Sequence, residues 1–120
     1  MKDGSGAQVV RSYYELVDGN EVQRLVALYA EDAVYERPGY PAMQGRQALE
    51  SFYSGTRVIA SGHHTLLDLV ENDSHVAVSG HFDGVLRDGS RASIDYADFF
   101  EISRDGHILR RKTFFYEPAV

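Results

Sequence analysis

The chain contains no cysteine. That excludes disulfides, a thiolate nucleophile and thiolate ligation of a metal. No apolar run is long enough to span a bilayer, and the opening "MKDGSGAQ" lacks the apolar core of a signal peptide, so a cytoplasmic location is expected. Basic residues are in the minority, with twelve Lys+Arg against eighteen Asp+Glu and a formal charge of −6. Neither nucleic acid nor a membrane is therefore expected as a partner. There is no glycine-rich phosphate loop, no G-x-S-x-G elbow and no H-E-x-x-H or H-x-x-x-H pair, which argues against a nucleotide site, a serine triad and a metal site. The adjacent His63-His64 alone does not make a metal site, and no metal or organic cofactor is expected. With no repeat and no Pro/Gly/Ser-rich linker, the 120 residues read as one domain, 1–120, large enough for a sizeable core.

The period of the apolar residues changes along the chain. Residues 6–17 place Val9, Val10, Tyr13, Leu16 and Val17 at helical spacing, with Ser5 as N-cap and "DGN" at 18–20 as the stop. Asn20, with Gln23 three residues on, predicts the cap of a second helix whose apolar side carries Val22, Leu25, Val26, Leu28 and Tyr29. A short strand at 33–36 runs into the Pro38–Pro41 loop, and 45–55 reads as a third helix with Leu49, Phe52 and Tyr53 on one side. Beyond it the period becomes two. Strand-like runs near 63–71, 75–86, 91–102 and 107–117 are separated by "END", "RDGS" and "SRDG". Helices followed by an antiparallel meander predict an α+β fold, a curved sheet wrapped by three helices, with a pocket between the layers.

One strand raises a chemical question. In "SIDYADFFEI" the side chains alternate, so Ile94, Tyr96, Asp98, Phe100 and Ile102 share the apolar face. A carboxyl there must be paired, neutral or functional. On the last strand Arg111, Thr113 and Phe115 share one face and the more basic Arg110 and Lys112 the other, which favours Arg111 inward and in need of Asp83 or Asp98. Parity leaves the preceding strand open: His81 and Asp83 are either solvated or a polar His-x-Asp element facing Asp98. Tyr13, Tyr29 and Tyr53 lie on apolar helix faces, as buried phenols of the core or as a hydrogen-bond relay.

The stretches "SYYELVDGNEVQRLVALYAEDAVYERPG", "QGRQALESFY" and "DFFEISRDGHILRRKTFF" resemble the nuclear-transport-factor-2-like (NTF2-like) superfamily, the fold of ketosteroid isomerase and the SnoaL-like polyketide cyclases. The resemblance implies a cone-shaped fold. It puts Tyr13 and Asp98 on the oxyanion-hole tyrosine and aspartic acid of ketosteroid isomerase, and Tyr53 and Tyr29 on the tyrosines that support them. The aspartate that serves there as general base is replaced by Arg37, which cannot take up a proton at neutral pH. His81 and Asp83 are the replacements that the alignment suggests, and Arg111 also falls on a position lining the pocket. The expectation is an acid/base enzyme for a small, mostly apolar carbonyl substrate, an isomerase or polyketide cyclase. Its expected catalytic groups are Asp98, Tyr13, Asp83 and His81. Tyr29, Tyr53, Arg37, Arg111, Phe52, Tyr96, Phe100 and Phe115 would bind substrate. The alternatives are an epoxide hydrolase with an Asp-Arg-Asp set and a non-catalytic ligand-binding or assembly module. The resemblance further implies a homodimer through the outer sheet face.

Overall fold

The computed structural model describes residues 5–118. Helix α1 (Ser5–Asp18) buries Val10, Tyr13 and Val17 of the apolar stripe expected from its spacing, leaves Val9 and Leu16 partly buried, and buries Tyr14 as well. The expected cap at Ser5 lies outside the described side chains. Asn20 does not cap the second helix. It takes φ 59°, and with Glu21 it closes α1, its N–H donating to the Val17 carbonyl at 3.2 Å while the Glu21 N–H donates to Leu16 at 3.0 Å. Asparagine tolerates this left-handed conformation, so it ends one helix instead of starting the next. Helix α2 (Val22–Ala27) is consequently short, and Tyr29 opens strand β1 (Tyr29–Glu36) instead of closing a helix.

A two-residue strand, β2 (Met43–Gln44), pairs with β1 and leads through Gly45 into helix α3 (Arg46–Ser51) and a π-helical turn over Phe52–Thr56. The long strands follow: β3 (Ile59–Asn72), β4 (His75–Leu86), β5 (Arg91–Ile102) and β6 (Ile108–Phe115). The six strands form one curved sheet in the order β2-β1-β6-β5-β4-β3. The meander β3–β6 is antiparallel as expected, but β1 lies parallel to β6, so the sheet is mixed. Helices on the concave side of such a sheet give the α+β cone.

Cross-strand partners share a face, which settles the parities. Gly80 lies opposite Tyr96, Val78 opposite Asp98, Asp98 opposite Thr113 and Phe100 opposite Arg111, all turned toward the helices. His81 lies opposite Asp95 and Asp83 opposite Ser93, on the outer face. The sequence hides this because the inner row of β4 contains two glycines. Gly80 leaves space for the Tyr96 ring, since a Cβ there would stand 2.6 Å from the Tyr96 hydroxyl and 2.6 Å from the Thr65 carbonyl. Gly62 and Gly84 likewise make room for the Phe82 ring, so aromatic rings cross over and fill places where side chains are missing.

Candidate active site

Asp98 is fully buried, and it is ionised. Strand β5 points it inward between Val78 of β4 and Thr113 of β6, and β6 brings Arg111 beside it. Arg111 donates from Nε to Oδ1 at 3.1 Å and from Nη2 to Oδ2 at 2.8 Å, a side-on fork. The Thr113 hydroxyl also donates to Oδ1 and the Tyr14 hydroxyl to Oδ2. Burial is the largest influence on this carboxyl and opposes its ionisation. The Arg111 charge and the hydrogen bonds from Arg111, Thr113 and Tyr14 together outweigh it and hold Asp98 below its ordinary value. The neutral oxyanion donor implied by the resemblance is thus corrected: Asp98 has no proton to give, and four donors occupy its oxygens.

The tyrosines surround Arg111 instead of converging on Asp98. The Tyr13 and Tyr53 hydroxyls stand 2.7 Å apart, and Tyr29 joins Tyr53 at 2.9 Å. Arg111 Nη1 donates to Tyr13 and, at 3.1 Å, to Tyr53. Its guanidinium lies 4.4 Å from the ring centres of Tyr13 and Tyr35 and 5.5 Å from that of Phe100. Burial raises Tyr13, Tyr29 and Tyr53 well above the usual phenol value, and Tyr14 likewise, so all four remain protonated donors. Tyr35 extends the network, its hydroxyl 3.0 Å from Thr113 Oγ1. The expected inward Arg–Asp pair is therefore present as Arg111–Asp98. Tyr14 and Tyr35 were not anticipated: in the Tyr13-Tyr14 pair neighbouring helical side chains point about 100° apart, and only the tertiary packing shows that both are enclosed.

His81 and Asp83 are not part of this interior, a correction to the expectation that they face Asp98. His81 Nδ1 lies 2.6 Å from Asp95 Oδ1, and Ser93 Oγ is 2.8 Å from His81 Nε2 and donates to Asp83 at 2.9 Å. The Asp95 hydrogen bond raises His81 and the Ser93 hydrogen bond lowers Asp83. With Asp83 outside, the Asp-Arg-Asp set of the alternative reading is not assembled.

The remaining residues make contacts further along the same inner face. Phe115 of β6 lies opposite Tyr96 of β5, and Phe82 of β4 opposite His64 of β3. Arg37, just past β1, sits among the rings of Tyr40, Phe52 and Phe115 at 5.5, 5.5 and 5.2 Å, with Nη1 at 3.4 Å from the Tyr35 hydroxyl. The Tyr96 hydroxyl is buried and makes no hydrogen bond of ordinary geometry among the described residues; burial pushes it up to about 12, against a smaller lowering by the nearby Tyr14 hydroxyl. Beside it lies a group the sequence did not bring forward. His64 Nδ1 is 2.6 Å from Asp18 Oδ1, at the end of α1, and the same carboxylate accepts the His64 backbone N–H at 2.9 Å. The His64 ring packs against Phe82, Tyr14 and Tyr96 at 4.7, 5.1 and 5.4 Å. An aspartate that accepts from Nδ1 leaves Nε2 with a free lone pair. Among the described residues no three His, Cys, Asp or Glu side chains are grouped to hold a metal, and no helix is long and apolar enough to cross a membrane.

A curved sheet, an enclosing set of helices and a polar interior define the NTF2-like class. The chain belongs to the SnoaL-like domain family, whose profile it matches over residues 10–111. Among solved structures it resembles SalBIII, an epoxide hydrolase/cyclase-like enzyme of pyran-ring formation in the polyether salinomycin, at 22% identity over 97% of this chain and 95% of that one, TM-score 0.84. An NTF2-like protein of unknown function from Burkholderia pseudomallei matches at 18% identity over 97% and 92%, TM-score 0.83. A candidate polyketide cyclase from Xanthomonas campestris pv. campestris matches at 25% over 93% and 90%, TM-score 0.77. These likenesses bear out the fold and the family resemblance.

Proposed function

We propose that this protein is an acid/base enzyme of the isomerase or cyclase type, acting on a small, mostly apolar carbonyl compound. The observation that carries the reading is the Asp18–His64 pair packed against the ring of Tyr96, whose buried hydroxyl makes no hydrogen bond of ordinary geometry among the described residues. Asp18 holds the imidazole by Nδ1–H, and Nε2 takes a proton from the carbon next to the substrate carbonyl. The Tyr96 O–H donates to the carbonyl oxygen as negative charge builds there. The imidazolium then returns its proton to another carbon, which completes an isomerisation. In a cyclisation the enolate carbon attacks a second carbonyl of the same substrate, and the imidazolium protonates the new alkoxide. Phe52, Phe82 and Phe115 supply the apolar lining. Arg111, Asp98, Tyr13, Tyr29 and Tyr53 act behind it as a rigid, fully hydrogen-bonded scaffold.

Proton exchange tests this without knowledge of the product. A panel of aromatic and alicyclic ketones in D2O, followed by proton NMR, should reveal at least one whose α-hydrogens exchange faster with the protein. Tyr96→Phe should slow that exchange by about 10²-fold. No exchange across the panel, or an unchanged rate in Tyr96→Phe, would remove the reading. We also propose a homodimer through the outer sheet face, supported by Val70, Phe99 and Phe114 on that face and by the neighbouring Leu67, all of them exposed.

A further inference from the structure

We infer that the region holding Arg37 and Arg57 recognises a carboxylate, so that the substrate is an organic acid with an apolar body. The inference rests on the site proposed above and adds its substrate class. It comes from two inward arginines that lack a counter-charge. Arg57 is only 5% exposed, and its Nε is buried with no hydrogen-bond partner. Arg37 Nε is likewise buried and unpartnered. Among the described residues neither has a carboxylate within salt-bridge distance.

Arg111 supplies the internal comparison. It is buried to the same extent as Arg57, at 4% exposure, and it presents its Nε and Nη2 edge to the two oxygens of Asp98. A guanidinium binds a carboxylate through such an edge by two parallel hydrogen bonds. Arg37 and Arg57 each leave the Nε of an edge unused. Burying a cation without an anion is strongly unfavourable, and aromatic faces offset it only in part. Arg37 has three such faces, and Arg57 lies 5.6 Å from the Tyr53 ring. None of these accepts an N–H in the guanidinium plane.

The two arginines belong to one region. Arg37 covers Phe52, Arg57 covers Tyr53, and those two rings are 5.1 Å apart. All three unpartnered buried side-chain atoms among the described residues, Arg37 Nε, Arg57 Nε and Tyr96 Oη, carry hydrogens. What is missing is a set of acceptors. A carboxylate supplies them to the arginines, while a carbonyl further along the ligand supplies one to Tyr96. In a chain of net charge −6 this cationic spot is a local feature and not a consequence of overall basicity.

The test uses naphthoate and its neutral counterpart naphthylmethanol, titrated into the whole protein and followed by calorimetry and by amide NMR shifts. Naphthoate should bind at least about tenfold tighter than the alcohol, and Arg57→Gln or Arg37→Gln should cost about tenfold or more for naphthoate while leaving the alcohol unchanged. Arg57→Lys keeps the charge without the fork and should lose part of the difference, which serves if the glutamine variant does not fold. Equal binding of the two probes, naphthoate affinity that survives both glutamine substitutions, or no binding of either probe up to about 10 mM would overturn the inference. Binding is read without turnover. Naphthoate that binds as stated while no ketone exchanges would defeat the proposed chemistry and leave the carboxylate site standing.

Discussion

Asp98→Asn is a nearly isosteric change with a large expected cost. The carboxylate receives four donors, from Tyr14, Thr113 and twice from Arg111. An asparagine amide offers one oxygen with two lone pairs and an NH2 that is itself a donor, so at least two of the four lose their acceptor. It also leaves Arg111, buried at 4% exposure, without a counter-charge. Breaking a buried ion pair from one side costs about 3–5 kcal/mol, against a total stability of about 5–15 kcal/mol for a domain of this kind. The melting temperature should fall by on the order of 10–25 °C. Urea denaturation with an unchanged slope is the assay. Asp98→Leu/Arg111→Met, which removes both charges, should lose less than the sum of its single substitutions. The same residue has a pH signature. Its folded value lies below its unfolded value, so its contribution is complete above the ordinary carboxylate range near pH 4 and is lost as pH falls through the folded value. Asp98→Asn should flatten that acid limb. A loss below about 1 kcal/mol with the acid limb unchanged would mean that the wild-type carboxyl is already neutral, and the ionised-pair account would fail.

Gly80→Ala should destabilise the protein by about 1–3 kcal/mol, because its Cβ meets the Thr65 carbonyl and the Tyr96 hydroxyl. Any exchange activity should fall with it as Tyr96 is displaced; a neutral effect on both would contradict the packing described. On the outer face, Phe99 and Phe114 meet edge-on at 5.8 Å, both well exposed. Analytical ultracentrifugation should find a dimer in the wild type and a monomer in Phe99→Lys, and the same mass for both would count against that interface.

What the sequence makes legible follows from how local each signal is. The β3–β6 meander can be read because its period and its turn residues lie next to one another in the chain. The inward face of Asp98 can be read because Tyr96, Phe100 and Ile102 surround it at the right parity. The inward face of Arg111 follows from the same alternation, which leaves Asp83 and Asp98 both open as its partner. His81 and Asp83 cannot be placed this way, since Gly80 and Gly84 deprive the inner face of β4 of the apolar side chains that would mark it. Asp18 reads as part of a helix-ending "DGN", and His64 as half of a histidine pair. Their contact spans 46 residues and exists only once α1 lies on β3. Arg57 is an ordinary loop arginine in the sequence, whereas the resemblance already puts Arg37 at the pocket; for both, the lack of a counter-charge becomes visible only when burial and neighbours are known.

The central claim is that the proton is moved by His64, held by Asp18, and not by the buried Asp98. The direct measurement is the rate of α-hydrogen exchange of a reactive ketone, per folded molecule, in His64→Gln and in Asp98→Asn at a temperature where both are folded. The account predicts a loss of about 10²–10⁴-fold for His64→Gln and a rate within about tenfold of wild type for the folded fraction of Asp98→Asn. A folded His64→Gln that exchanges at the wild-type rate, while folded Asp98→Asn is inactive, would contradict it.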